Sequence, residues 1–463
     1  MPLSLAHSDG TPNKTDKATL TKLLEGNQDS VLTDITLPPI SASVVDGGCI
    51  LHETLLRHSK STYGIMARDL FVKVCSFRGE EIHLVLDKYV SPSIKDQERK
   101  SRGGGNQPTF VISGPDQAQR HSGIDLLKNS AFKEEFAHFI MQEWRNPQYG
   151  PILGRKVLYV SHGGECSKFM FTETEVGSQI HVDKPSHLQA QHEEADTLIA
   201  FHVRRVHRET IMVRSSDTDV LVILIGLIGR SDCMSLIMDY GSGNHRRYIN
   251  VSLIAARLEE KHSGLTEALI GFHALTGCDF TSAFNRLGKV KPFQRLEAIT
   301  AEIHVKALRS LTSEVDMIAV TSYVCALYGF NMSDINEARY KAFMRMCRGK
   351  QTDPLARMKK INCASLPPCY ETLTHHIKRT NFVAKMWRQA DEVNPTGGES
   401  PINYGWMKTG DGLHPVWFTG SPVPSSITKG DNGEDRVQMM AEEDEDSDSV
   451  WSEDSDNTEE EDN

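Results

Sequence analysis

Ser43-Val44-Val45-Asp46-Gly47-Gly48 is a short apolar run that ends on a carboxylate followed by two glycines. It is too short for a helix, and its β-branched residues fit a buried strand. Ile82-His83-Leu84-Val85-Leu86-Asp87 repeats the form, an apolar strand that delivers an acid at its carboxyl end. Between the two, Leu51, Leu55, Leu56 and Ile65 carry helical spacing as far as Lys73. Working outward, Lys156 to Val160, Ile211-Met212-Val213, Leu236 to Asp239 and Tyr248 to Val251 read as further strands, and residues 161–185 as a hairpin. Helices are expected over Phe132 to Trp144, from about Glu193 with His202 on its inner face, over Ser252 to Lys261 and over Thr266 to Thr276. Strands alternating with helices predict an α/β fold with a doubly wound, mostly parallel sheet flanked by helices. In such sheets ligands bind beyond the carboxyl ends of the strands.

Acids gather at those ends. Asp46, Asp87, Glu194-Ala195-Asp196, Asp217-Thr218-Asp219 and Asp279 supply seven carboxylates, of which Asp46, Asp87 and Asp217 follow apolar strands. The Glu194 pair opens a helix, where the helix dipole favours negative charge. Seven converging carboxylates repel one another and call for cations. Oxygen donors select magnesium or manganese over zinc. Two such ions about 4 Å apart activate water and stabilise the leaving oxygen of a phosphodiester.

Val44-Val45-Asp46, Val85-Leu86-Asp87, Glu194-Ala195-Asp196, Asp217-Thr218-Asp219 and Gly277-Cys278-Asp279-Phe280 resemble, in order and type, the acidic motifs of the flap endonuclease superfamily of PIN-like 5′ nucleases. The resemblance spans roughly residues 43–300. It implies a PIN-like fold, two metal ions held by Asp46, Asp87, Glu194, Asp196, Asp217, Asp219 and Asp279, and cleavage of branched or single-stranded DNA, with RNA as a further substrate class. It also implies catalytic roles for Lys95 and Arg102, which match the family's phosphate-facing Lys and Arg, with Arg99 and Lys100 as nucleic-acid contacts beside them. The family follows its last acid with a Gly-x-Gly turn that grips the DNA backbone. Here the segment is Phe284-Asn285-Arg286-Leu287-Gly288-Lys289-Val290-Lys291, so Arg286 stands in one glycine's place, and Arg286, Lys289 and Lys291 offer charge instead. Leu366-Pro367-Pro368, Gly405-Trp406 and Pro415-Val416-Trp417 look similar to transposon-associated, multicopy nuclease-like proteins of animal genomes.

The organisation expected is a flexible polar arm over 1–40, a nuclease domain over 41–300 with an insertion at about 101–185, a helical region over 301–392, a Pro/Gly-rich segment over 393–430 and a disordered acidic tail over 431–463. Asp334 and Glu337 form a capping box, a helix from about Tyr370 follows Pro367-Pro368, and Trp406, Trp417 and Phe418 are expected to pack on the body. The formal charge of −11 is misleading. The tail holds sixteen acids and one arginine, so the rest carries 50 basic against 46 acidic residues. A mildly basic body suits a nucleic-acid partner. Nine cysteines without framework spacing fit a reducing compartment. The apolar run Val220 to Ile228 is too short to span a membrane, so a nuclear or cytosolic place is expected. Cys363, Cys369, His375 and His376 are spaced too widely for a zinc knuckle and read as ordinary cysteines and helix-surface histidines. Two other readings compete: an inactive nucleic-acid-binding or scaffold protein that keeps the fold, and a transposase of the ribonuclease H type, which needs fewer carboxylates.

Overall fold

The computed structural model describes residues 1–26, 30–56, 58, 61–88, 93–95, 109–174, 177–231, 233–298, 302–347, 361–410 and 412–420. Arg99, Lys100 and Arg102, residues 101–108 of the expected insertion and the acidic tail lie outside them.

The frame is a nine-stranded sheet of β1 (Val31–Leu32), β2 (Ala42–Asp46), β3 (Glu81–Val85), β4 (Val157–His162), β5 (Glu165–Thr174), β6 (Gly177–Asp183), β7 (Thr210–Arg214), β8 (Ser235–Tyr240) and β9 (Arg247–Asn250). Their spatial order is β1-β9-β8-β7-β2-β3-β4-β5-β6. The five central strands are parallel, and antiparallel strands extend the sheet on both sides. β2 pairs with β3 on one side and with β7, far later in the chain, on the other. This is the point where the winding reverses, and crevices in doubly wound sheets open there. Asp46 is the last residue of β2.

Each face of the sheet is covered. Val44, Val213 and Met238 pack in one apolar cluster with the helices Ala195–Arg205, Thr218–Leu227 and Leu265–Leu275. Val45, Leu84 and Val160 pack in a second cluster with Tyr63–Cys75 and Ser130–Glu143. Period-two alternation sends neighbouring residues of one strand to opposite faces. Most strand, helix and hairpin positions expected from the sequence recur within a few residues, including the helices Ile335–Cys347, capped by Asp334, and Tyr370–Arg388. The helical stretch expected from Leu51 to Lys73 is instead two helices, Gly47–Leu55 and Tyr63–Cys75, and Leu56 and Ile65 are exposed. Among the described residues no helix is long and apolar enough to cross a membrane.

Four other expectations change. The segment before Asp46 is not a loose arm over 1–26. Leu5, Leu20 and Leu24 are fully buried, and Ala18–Glu25 is an amphipathic helix whose Leu20 and Leu24 lie one turn apart on its inner face. His375 and His376 are buried rather than on the helix surface, and the His376 Nε2 donates to the carbonyl of Leu275 at 2.9 Å. Trp406 and Trp417 are buried as expected, whereas Phe418 is exposed. Lys289 is buried and turned inward, as the site explains.

Candidate metal centre

The carboxylates stand over helix N-termini because the strands that carry them run straight into helices. Asp46 caps the helix Gly47–Leu55, its Oδ1 accepting from the Cys49 amide at 3.2 Å. Asp217 caps Thr218–Leu227, accepting from the Asp219 amide at 2.8 Å. Asp87 Oδ1 accepts from the Ala195 amide at 2.8 Å, so it serves the helix that Glu194 and Asp196 open. Three positive helix ends therefore face one group of acids, which lowers the cost of holding negative charge there. Gly47 permits the crowding, since a Cβ there would lie 2.3 Å from Leu86 Cδ2 and 2.7 Å from the Val85 carbonyl.

Asp279 arrives differently, just beyond the C-terminus of Leu265–Leu275. Gly277 makes the turn with φ +105°, and a Cβ would meet the Ala283 backbone nitrogen at 2.8 Å. The carbonyls left open at that helix end are taken by Lys289, whose ammonium donates to His273 O at 3.0 Å, Gly277 O at 2.6 Å and Thr276 Oγ1 at 2.8 Å. This corrects its expected role. Lys289 is 1% exposed and spends its donors on the turn that presents Asp279, so it offers nothing to a phosphate. Arg286 and Lys291 are exposed. Arg286 has φ +59°, alone in the left-handed region among described non-glycine residues, at the position where the resembling family has glycine.

The acids converge. Ligand oxygens of Asp196, Asp217 and Asp219 lie within 4.8 Å of one another. Lys17, from the N-terminal segment, bridges Asp217 Oδ1 at 3.1 Å, Asp219 Oδ1 at 3.1 Å and Asp279 Oδ1 at 2.9 Å. Lys95 bridges Glu194 at 2.9 Å and Asp196 at 3.1 Å, with its ammonium 4.6 Å from the centre of the Phe280 ring. Asp46 is half-buried on the same rim, its Oδ2 accepting from Ser215 Oγ at 2.8 Å. Burial, then repulsion from Asp87, pushes the Asp46 carboxyl up to about 6. Burial likewise raises Asp196 well above the carboxylate range, and Asp217 and Asp219 add to it against the pull of Lys95. Burial alone would lower both lysines, but Asp219, Asp217 and Asp279 hold the Lys17 ammonium far above its ordinary value, and Asp196 and Glu194 do the same for Lys95.

Asp219 is the most enclosed member. It is 0% exposed, and its Oδ1 accepts from His273 Nε2 at 2.8 Å. The His273 ring stacks on Trp387, with centroids 5.6 Å apart, and burial holds its imidazole well below the usual range, so it stays neutral and orients the carboxylate. Asp219 Oδ2 is buried with no hydrogen-bond partner among the described residues. An unmet carboxylate oxygen in a protein interior is costly, and a cation is the partner that its neighbours would share. The donor set, all oxygen, fits a hard divalent ion.

No family model matches this chain, and no curated protein does. The structure brings all seven acids and Lys95 to one sheet edge. Two participants escaped the sequence reading. His273 had a signal, a single imidazole in the apolar run Ala268 to Leu275. Lys17 had none, because only folding carries it 200 residues along the chain to Asp217.

Proposed function

We propose that this chain is a divalent-metal-dependent nuclease with a PIN-like fold, hydrolysing phosphodiester bonds in branched or single-stranded DNA. The observation that carries the reading is Asp219. A wholly buried carboxylate with one oxygen unmet stands within ligand distance of Asp196 and Asp217, at the switch point of a parallel sheet. Asp196, Asp217, Asp219 and Asp279 would hold one ion, and Glu194, Asp46 and Asp87 lie along the same rim for a second. Magnesium or manganese, when bound, supplies an activated water and charge stabilisation at the leaving oxygen. His273 keeps Asp219 aimed, and Asp217 keeps the Thr218 helix end in register. Lys95, beside Glu194 and Asp196, would face an incoming phosphate when those acids hold a cation. Arg286 and Lys291 extend that attraction over the surface.

A second reading has its own observation. Lys17 and Lys95 already place two ammonium groups among the acids. A scaffold that keeps the fold without metal would neutralise its carboxylates in this way. Two positive charges leave seven acids under-compensated, which favours the metal-dependent reading.

The test is a panel of labelled flap, single-stranded DNA and RNA substrates in magnesium and in manganese. Cleavage by the wild-type chain, with Asp219→Asn reduced by orders of magnitude while DNA binding persists, supports the nuclease. Absence of cleavage on every substrate, together with no manganese binding by calorimetry, overturns it in favour of the scaffold.

A further inference from the structure

Away from the carboxylate cluster, Glu134 and His138 lie one turn apart on the helix Ser130–Glu143 and face His162, the last residue of β4. Glu134 Oε1 is 3.0 Å from His162 Nε2 and 3.8 Å from His138 Nε2. All three ligand atoms lie within 4.8 Å of one another, and the two imidazole rings are 5.1 Å apart at 85°. A tetrahedral zinc ion with bonds of about 2.0–2.1 Å sets its ligands about 3.3–3.4 Å apart. The two carboxylate–imidazole separations bracket that value, and the exposed His138 side chain is free to rotate until the two imidazole nitrogens match it. His162 is 5% exposed, its Nε2 faces the Glu134 carboxylate, and its Nδ1 is buried with no hydrogen-bond partner among the described residues. His138 is two-thirds exposed, which leaves the fourth position open to water.

We propose that Glu134, His138 and His162 form a second metal site, distinct in chemistry from the acidic cluster, that takes a borderline divalent ion of the zinc class. Two imidazole nitrogens and one carboxylate disfavour magnesium and select zinc or cobalt. The ion would take the place of the proton between His162 Nε2 and Glu134, and the neutral imidazole would carry that single proton on Nδ1 instead. The site ties the helix of the insertion to the carboxyl edge of the sheet, the edge that also carries Asp46 on β2, two strands away. The neighbouring Glu165 is held by Lys184 at 2.5 Å, so it does not complete the set.

The experiment is cobalt titration of the full chain after chelator treatment. A nitrogen–oxygen tetrahedral site gives visible d–d bands without the thiolate charge-transfer absorption that any of the nine cysteines would add. Zinc should abolish the bands, and excess magnesium should not. His138→Ala, a surface change with little risk to folding, should weaken zinc binding at least about tenfold and remove the bands. Asp219→Asn should leave them intact. Bands that survive His138→Ala, that vanish in Asp219→Asn, or that fail to form in the wild-type chain each overturn the proposal.

Discussion

Replacing Lys17 by methionine keeps most of the side chain's length and removes its charge, so it isolates what the ammonium does among the acids. Its nitrogen lies 2.9–3.1 Å from three carboxylates, one of them fully buried. At that distance and an effective dielectric of about 20, each attraction is worth about 5 kcal/mol. Desolvation of the lysine and repulsion among the acids cancel most of the sum. Removing one member of a buried ion group costs about 3–5 kcal/mol net, because the remaining charges lose their partner. Unfolding entropy of about 2.1 cal/mol/K per residue over the compact unit Met1–Trp417 converts this to a melting temperature lower by about 3–6 °C. The assay is thermal unfolding in EDTA and in saturating manganese. In EDTA the variant should melt below wild type by that margin. In manganese the gap should close, since an ion bound to Asp217, Asp219 and Asp279 has already displaced the lysine. Reciprocity then requires manganese to bind the variant more tightly, by on the order of a hundredfold for 3 kcal/mol. Equal melting in EDTA would refute the view that Lys17 balances the cluster. A deficit that manganese leaves untouched would refute the view that lysine and metal share one place.

Burial drags the Lys289 ammonium down to about 7 from an ordinary 10.5. Between those values the unfolded chain binds more protons than the folded one, so stability rises with pH across that window, by up to about 1.4 kcal/mol per unit. Denaturant titrations at pH 7 to 10 should show the rise in wild type relative to Lys289→Met, and parallel curves would show that the group does not titrate there. Arg286→Gly should raise stability by about 1 kcal/mol, since a left-handed conformation costs a side chain about 1–2 kcal/mol and costs glycine nothing. The same variant should weaken DNA binding modestly through the lost charge; a destabilised variant would mean that the Arg286 side chain makes contacts worth more than the strain.

Local pattern carried most of the frame. Val44 and Val45 pack on opposite faces of the sheet, as period-two alternation in a doubly covered strand requires. The acids after β2, β3 and β7 share one edge because parallel strands all end on the same side. The position of an acid at the end of an apolar run is a local property, so Asp46, Asp87 and Asp217 were legible from pattern, whereas Glu194, Asp196, Asp219 and Asp279 were named from the order of the acidic motifs. The acidic set also predicted its own need for positive charge. What supplies that charge was not legible. The polar composition around Lys17 masked the Leu20 and Leu24 pair that docks the segment, and sequence separation hides which side chain arrives beside which. Lys289 reads in sequence like a surface cation, yet it closes a helix end because the turn at Gly277 buries it. His273 meets Asp219 only because the helices Thr218–Leu227 and Leu265–Leu275 pack against each other. Amino-acid pattern thus determined which groups line the edge of the sheet. Tertiary packing decided which of them are paired, because charge balance in an interior depends on three-dimensional neighbours, and no short stretch of sequence encodes those.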